Sequence, residues 1–543
     1  MSTSSNMDFS AQDRQNSQTD AVDAEDSKAN NKDDFSASTV GLDEGMNDNI
    51  DLEKGSTGEL LSDRGGPAGP PPPAQTKDPN LIEWDGPNDP GNPMNFSVQK
   101  KWLLTGVMGS MTWTITFASS VFSTASLVVA KKYNVSTEVA TLGTSLFVVG
   151  LGLGPIVWGP ASELFGRKTP LFFGFFVFGI FQIGVAVAQN LYTIMLCRFF
   201  SGMFGSAPLA IVGGTLADFW GPVDRGVATC VFASATFVGP IAGPVMGSFI
   251  TASSLGWKWT AWMTMIMCFF FGIVGFIIVP ETSHLKILQQ RAKTLRFEQK
   301  NWAIHSKADE TKADLGAFVQ TYLIKPFAML FKEPILVLIT LYMALIYGIL
   351  YLFFEAYPIS FQENRHWNSG VASLPFLAIL SGVLIGAGAV AYITKTRFAR
   401  KLQEQGKLVP EERLPPMIAG AFILPIGLFW FAWTSNKDIH WAPQVIAGIP
   451  IGCGILMIFL QGMNYVVDVY LWNANSALAG NTLIRSFVGA AFPLFAVQMY
   501  HALGVDWASS LLGFLCIALL PVPILFYKYG ARIRAASQFS PKM

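Results

Sequence analysis

Twelve apolar runs leave this chain few ways to fold. They fall at residues 102–125, 139–160, 170–189, 192–219, 226–251, 257–280, 334–357, 370–393, 416–434, 442–470, 475–501 and 505–530. A helix of about 20 apolar residues crosses roughly 30 Å of hydrocarbon. The bilayer core offers no water to an unpaired amide, so such a run must close its hydrogen bonds internally as a helix. Gly and Pro inside several runs are tolerated where neighbouring helices re-satisfy the backbone. The expected fold is an all-α polytopic membrane protein with twelve transmembrane helices. Composition agrees: the chain is 51% hydrophobic and only 14% charged, where a soluble domain averages about 25% charged.

The same composition excludes several functions. Net charge is zero, which argues against nucleic acid as a partner. The five cysteines lie inside apolar runs without metal-ligand spacing, as small core residues do. There is no Gly-x-Ser-x-Gly elbow, no His/Cys cluster and no Walker-type phosphate loop. Neither an enzyme, a metal site nor a self-contained ATP-driven pump is expected.

Polar segments divide the chain. No secretory signal opens it. The first 60 residues carry 14 Asp/Glu against 4 Lys/Arg, too little apolar surface to offset chain entropy. "GGPAGPPPP", 65–73, continues them as a stiff spacer. Residues 1–82 are therefore expected to be a disordered cytosolic tail. Residues 83–280 form one six-helix half, 281–333 a polar central loop, 334–530 a second half and 531–543 a short tail. Basic residues concentrate in alternate loops, nine of them in 281–333. The positive-inside rule then puts both termini in the cytosol. Asn134 of "NVS" falls in the first outward loop, where a glycosylation sequon is permitted.

The halves show faint self-similarity. "ADFW" places Asp218 at the inner end of span 4, and "VDVY" places Asp468 at the inner end of span 10. "FVG" recurs at 237–239 and 487–489, at the same 250-residue offset. Two six-span halves related by an axis along the membrane normal are a transporter architecture, with the substrate between them near mid-membrane.

Four motifs carry a resemblance. "GPASELFGRKTP", 159–170, is a tight polar turn between two apolar runs, and Gly166 permits its sharp bend. With Gly159, Glu163, Gly166, Arg167 and Lys168 it resembles the loop 2–3 signature of the major facilitator superfamily, with Glu163 where an Asp is usual. "RFFSGMFG" contains Arg198, an intramembrane cation that needs pairing or hydration. "GPIAGPVMGS" presents Gly239, Gly243, Pro244 and Gly247, a smooth face for close helix approach with a proline kink. It resembles the superfamily's antiporter motif. "WDGPNDPGNPMNFSVQKKW", 84–102, resembles the segment leading into span 1 of the fungal twelve-span drug:proton antiporters, with Phe96 in place of a Trp; "PETSHLKIL" looks like the same family.

The resemblance implies the major facilitator fold and, through the family, roles for these residues. Glu163 and Arg167 would pair as a conformational latch, and Arg198 would serve proton coupling. In span 7, Tyr347, Tyr351 and Glu355 share one face at i, i+4 and i+8. A carboxylate beside aromatics suits a cationic or amphipathic substrate, or the coupling proton. Arg485, in span 11, needs a partner, and Asp468 is the candidate. The expected activity is proton-coupled antiport, exporting amphipathic drugs, toxins, secondary metabolites or polyamines from a fungal plasma membrane by alternating access. An uptake symporter or facilitator is the alternative. No cofactor is implied, the proton gradient being the energy source, and the protein is expected to be monomeric in the lipid bilayer.

Overall fold

A computed structural model describes residues 78–310, 320–406 and 409–540. The acidic tail expected over 1–82 lies outside the described residues as far as position 77. Among the described residues the chain is helical, with one isolated bridge between Leu81 and His305. The spanning helices are α1 (Val98–Tyr133), α2 (Thr137–Leu164), α3 (Lys168–Val187), α4 (Leu191–Phe219), α5 (Val223–Ala252), α6 (Lys258–Ile278), α7 (Pro334–Glu363), α8 (Ser369–Glu404), α9 (Pro410–Trp433) and α10 (Trp441–Tyr470).

A further helical stretch, Ala474–Ala535, is 62 residues long. At 1.5 Å per residue it would reach about 93 Å, some three times a bilayer core. It breaks at Gly504, whose φ of 79° and ψ of 163° belong to no helix and are open mainly to glycine. The parts before and after Gly504 are α11 and α12, which makes twelve crossings among the described residues. The second part carries on to Ala535, past the boundary expected at 530, because Arg534 in its last turn is anchored by Glu411 at 3.1 Å. The described part of the 281–333 connection includes helices at His284–Gln299 and Lys325–Lys332.

Local chemistry starts these helices. Ser97, Ser136 and Asn190 each accept a backbone N–H from the first turn of α1, α2 and α4, as N-caps do. Packing then repeats with a shift of six helices. α1 lies on α5 as α7 lies on α11, α2 on α4 as α8 on α10, and α3 on α6 as α9 on α12. Glycines make these approaches possible. A Cβ on Gly202 would stand 2.0 Å from the Phe147 carbonyl between α4 and α2, and one on Gly452 would stand 2.1 Å from the Ile379 carbonyl between α10 and α8.

The two most extensive contacts joining α1–α6 to α7–α12 obey the same shift: α2 meets α11, and α5 meets α8. Exposure fits an apolar surround. In the most apolar window of α7, 78% is buried, against 28% in α6, so α6 turns an apolar face outward, as a multi-pass membrane protein requires. The described chain ends and the 281–333 connection share one end of the bundle, here the loop side; the opposite end is the far side.

Candidate functional site

The turn between α2 and α3 is held from outside. Gly166 has φ +88°, and a Cβ there would stand 2.5 Å from Glu281 Oε2. Glu281 uses that closeness. Its oxygens accept the backbone N–H groups of Arg167 at 2.8 Å and Lys168 at 3.1 Å, capping α3, where a carboxylate favours the positive helix end. The Lys168 ammonium lies 4.7 Å over the Phe276 ring. Gly159 has nothing within 4 Å of a would-be Cβ, and its carbonyl accepts from Ser162.

The expected Glu163–Arg167 pair is not the one formed. Arg167 Nε donates to Asp218 on α4 at 3.1 Å, and its Nη1 donates to Ser162 at 2.9 Å. Glu163 instead accepts from Asn475 on α11 at 2.7 Å. The physical reason lies in α4: Gly214 leaves room for the Arg167 guanidinium, which then reaches the half-buried Asp218. Glu163, at the edge of α2, faces the other half.

The second half repeats this arrangement. Arg413, at the start of α9, donates to Asp468 at the loop-side end of α10 at 2.8 Å, with both side chains almost fully buried. Asp468 is therefore the partner of Arg413 and not, as expected, of Arg485. Arg413 is a neighbour through tertiary approach, whereas Arg485 lies some 16 Å along α11 from Ala474 by helical rise. Glu281, Arg413 and Glu411 were missed at the sequence level. "PETSH" contains Glu281, but a carboxylate beyond the C-terminal end of α6 carries no local sign of the distant helix start it caps.

Arg198 is seven residues into α4 from the far side and 1% exposed. It donates to the Gly143 carbonyl at 2.9 Å, the Ala118 carbonyl at 2.8 Å and the Ser119 carbonyl at 3.4 Å. Two of those carbonyls sit just before α1 tightens into a 3₁₀ turn at Phe122–Ala125. Where the ladder changes period, carbonyls are left for other donors. The rings of Phe147 and Phe122 lie 4.4 and 4.8 Å from the guanidinium.

The small-residue face of α5 packs on α1. A Cβ on Gly239 would stand 2.0 Å from Thr116 Oγ1, one on Gly243 2.0 Å from Ser120 Oγ, and one on Gly247 2.6 Å from Thr124 Oγ1. Pro240 and Pro244 lie within the helix between them.

Between the halves, Tyr347 and Tyr351 come together, their hydroxyls 3.3 Å apart. Tyr351 donates across to Ser119 on α1 at 2.8 Å, and Ser119 donates to the Thr116 carbonyl. The Tyr351 proton is thereby committed, so Tyr347 donates to Tyr351 and keeps its own oxygen free to accept. Arg485 projects from α11 onto this cluster, its guanidinium 4.8 Å from the Tyr347 ring and 4.7 Å from the Phe459 ring. Phe459 meets Phe237 of α5 edge-on at 4.7 Å. The Arg485 guanidinium makes no hydrogen bond or ion pair among the described residues, and its Nε and Nη1 are sealed from solvent. Glu355 continues the α7 face two turns beyond Tyr347, half-buried, and bonds to neither tyrosine.

α2 and α11 are tied along their length. Glu163–Asn475 closes the loop side, Ser145 donates to the Ala490 carbonyl at 2.7 Å, and Gln498 donates to Glu138 at 2.7 Å on the far side. Asn134 is exposed at the far-side turn after α1, in left-handed conformation at φ 52°.

Residues 108–493 match the Major Facilitator Superfamily profile. The chain is 60% identical to the citrinin biosynthesis cluster MFS transporter of Monascus ruber over 89% of this chain and 97% of that one. It is 43% identical to the cercosporin MFS transporter of Cercospora nicotianae, covering 85% and 90%. A proton:xylose symporter bound to 6-bromo-6-deoxy-D-glucose shares the fold, with TM-score 0.57 at 14% identity, covering 80% of this chain and 96% of that one. Twelve crossings in six-shifted packing, a charged turn between α2 and α3, and full-length similarity to these fungal proteins together make the chain a membrane transporter, not an enzyme, and a member of the Major Facilitator Superfamily.

Proposed function

We propose that this transporter exports amphipathic secondary metabolites from a fungal cell in exchange for protons, by alternating access. The observation that carries the reading is its full-length similarity to transporters named for citrinin and cercosporin. The geometry is compatible. The polar cluster of Tyr347, Tyr351 and Arg485 lies about midway along its helices at the seam of the halves, where a carried solute must bind. The α2–α11 ties at the two ends are hydrogen bonds between partly exposed groups, weak enough to open in turn. Proton coupling is assigned to Glu355, a half-buried carboxylate without a hydrogen-bond partner among the described residues. The loop side is cytosolic, the membrane is the plasma membrane, and Asn134 is a glycan acceptor.

The test is accumulation in a host lacking its own efflux pumps, using a panel of cationic, neutral and anionic aromatic compounds, with and without a protonophore. Wild type should lower accumulation of some members, the protonophore should abolish this, and Glu355→Gln should fail at equal expression. Raised accumulation would identify an importer and end the export reading.

A further inference from the structure

We propose that Arg485 is the anion-binding centre of the transport site, and that the solute carried is a planar aromatic anion, a carboxylate or an acidic phenolate. The inference deepens the export reading and rests on it. A guanidinium carries five N–H donors and is always charged. In Arg485, 9% exposed, none of them has an acceptor among the described residues. The nearby carboxylates are spoken for or out of reach: Asp468 is held by Arg413, and Glu355 is eight residues from Tyr347, about 12 Å along α7. The cation is thus built into the seam of the halves without a counter-ion among the described residues.

The surroundings state what would complete it. Tyr347 and Phe459 are stacked at 28° with centroids 6.4 Å apart, and Phe237 of the other half closes the edge. Flat rings beside a planar, weakly hydrated cation favour a flat partner that carries its charge in the ring plane. A carboxylate or phenolate meets the guanidinium fork with charge-assisted hydrogen bonds. The proton order Tyr347 to Tyr351 to Ser119 leaves the Tyr347 oxygen as an acceptor, so a hydroxyl on the solute is matched as well. An amphipathic cation, the substrate that Glu355 alone would suggest, meets like charge here.

The full-length protein, purified in detergent, should bind fluorescein by fluorescence anisotropy. It should bind rhodamine 123, the cationic relative with the same ring system, far more weakly. 3-Hydroxy-2-naphthoate should compete, and its methyl ester should not. Arg485→Gln should weaken fluorescein binding roughly ten- to hundredfold. Arg485→Lys should restore only part, since an ammonium lacks the planar fork. Arg485→Gln should melt no lower than wild type, which separates a ligand site from a structural one. Undiminished binding by Arg485→Gln, a preference for rhodamine 123 or the ester, displacement by chloride alone, or no aromatic anion bound would each overturn the proposal. Flux in the pump-deficient host separates the two readings. Arg485-dependent binding without gradient-driven flux keeps the anion site and removes the export reading. Export of esters or rhodamine 123 that survives Arg485→Gln keeps export and removes the anion site.

Discussion

Of the buried arginines among the described residues, two have no carboxylate partner, Arg198 and Arg485, and they are buried differently. Arg198 lies in α4 against helices of its own half and donates to three carbonyls at the point where α1 changes helical period. Arg485 lies in α11 at the seam between halves, stacked on two rings and bonded to nothing among the described residues. A buried cation without partners costs several kcal/mol, and a fold retains such a cost where function needs it. The first arginine is part of the scaffold that holds α1, α2 and α4 together. The second is an unfinished contact. Intramembrane charge alone did not distinguish them; the count of acceptors does.

The sharpest way to break this contrast is Arg198→Gln. It leaves buried carbonyls on α1 and α2 without donors, at about 1–3 kcal/mol for each one stranded, and should cost most of the folded yield, measured by size-exclusion chromatography in detergent. A stable Arg198→Gln protein would return Arg198 to the class of functional charges.

Next comes the pair of halves. Removing Asp468 strands Arg413 in a site where both side chains are nearly inaccessible, whereas Arg167 and Asp218 are 18% and 14% exposed. Asp468→Ala should therefore destabilise by about 3 kcal/mol or more, and Asp218→Ala by visibly less. Double-mutant cycles with Arg413 and Arg167 read the two couplings directly. Equal couplings would mean that the shared geometry, not burial, sets the energy.

Smaller effects are expected where α2 meets α11. Asn475→Ala removes the loop-side tie and Gln498→Ala the far-side one, each worth about 0.5–1.5 kcal/mol. They should shift solvent access in opposite directions, read as labelling of single cysteines placed on the two sides. Shifts in the same direction would contradict alternating closure.

The smallest effect lies before α1. Backbone N–H groups of Asp85 and Gly91, then the Arg291 guanidinium, hold the Asp89 carboxyl below its usual range. A carboxylate depressed in the folded state adds stability above its unfolded pKa, and that stability is lost as pH falls through the folded value. The 78–97 segment should accordingly resist limited proteolysis at neutral pH and lose protection in acid below the ordinary carboxylate range. Asp89→Asn should remove the protection at all pH values.

The sequence disclosed what depends on local pattern. Hydropathy located the crossings, and a break between 501 and 505 was legible because two spans cannot share one helix; Gly504 supplies it. The glycines at 239, 243 and 247 announced a close approach, and the structure shows α1 as the helix that makes it. Pairings were less legible. Arg167 with Asp218 and Arg413 with Asp468 join residues about 50 positions apart, and the choice among candidate acids depends on which helix a small residue lets come near. The family resemblance pointed to Glu163 for Arg167, and Asp468 was the candidate for Arg485; the structure pairs Arg167 with Asp218 and Asp468 with Arg413 instead. Glu281 was visible in "PETSH" but not as the cap of a helix that begins more than 100 residues earlier.

The most direct measurement is thermal unfolding of wild type and Arg485→Gln, each with and without fluorescein. Without ligand the variant should melt at or above wild type, because a buried charge lacking acceptors has been removed. With ligand only wild type should rise, since binding to the folded state alone stabilises it. A variant that melts well below wild type, or that gains as much from fluorescein, would contradict an unfinished site at Arg485.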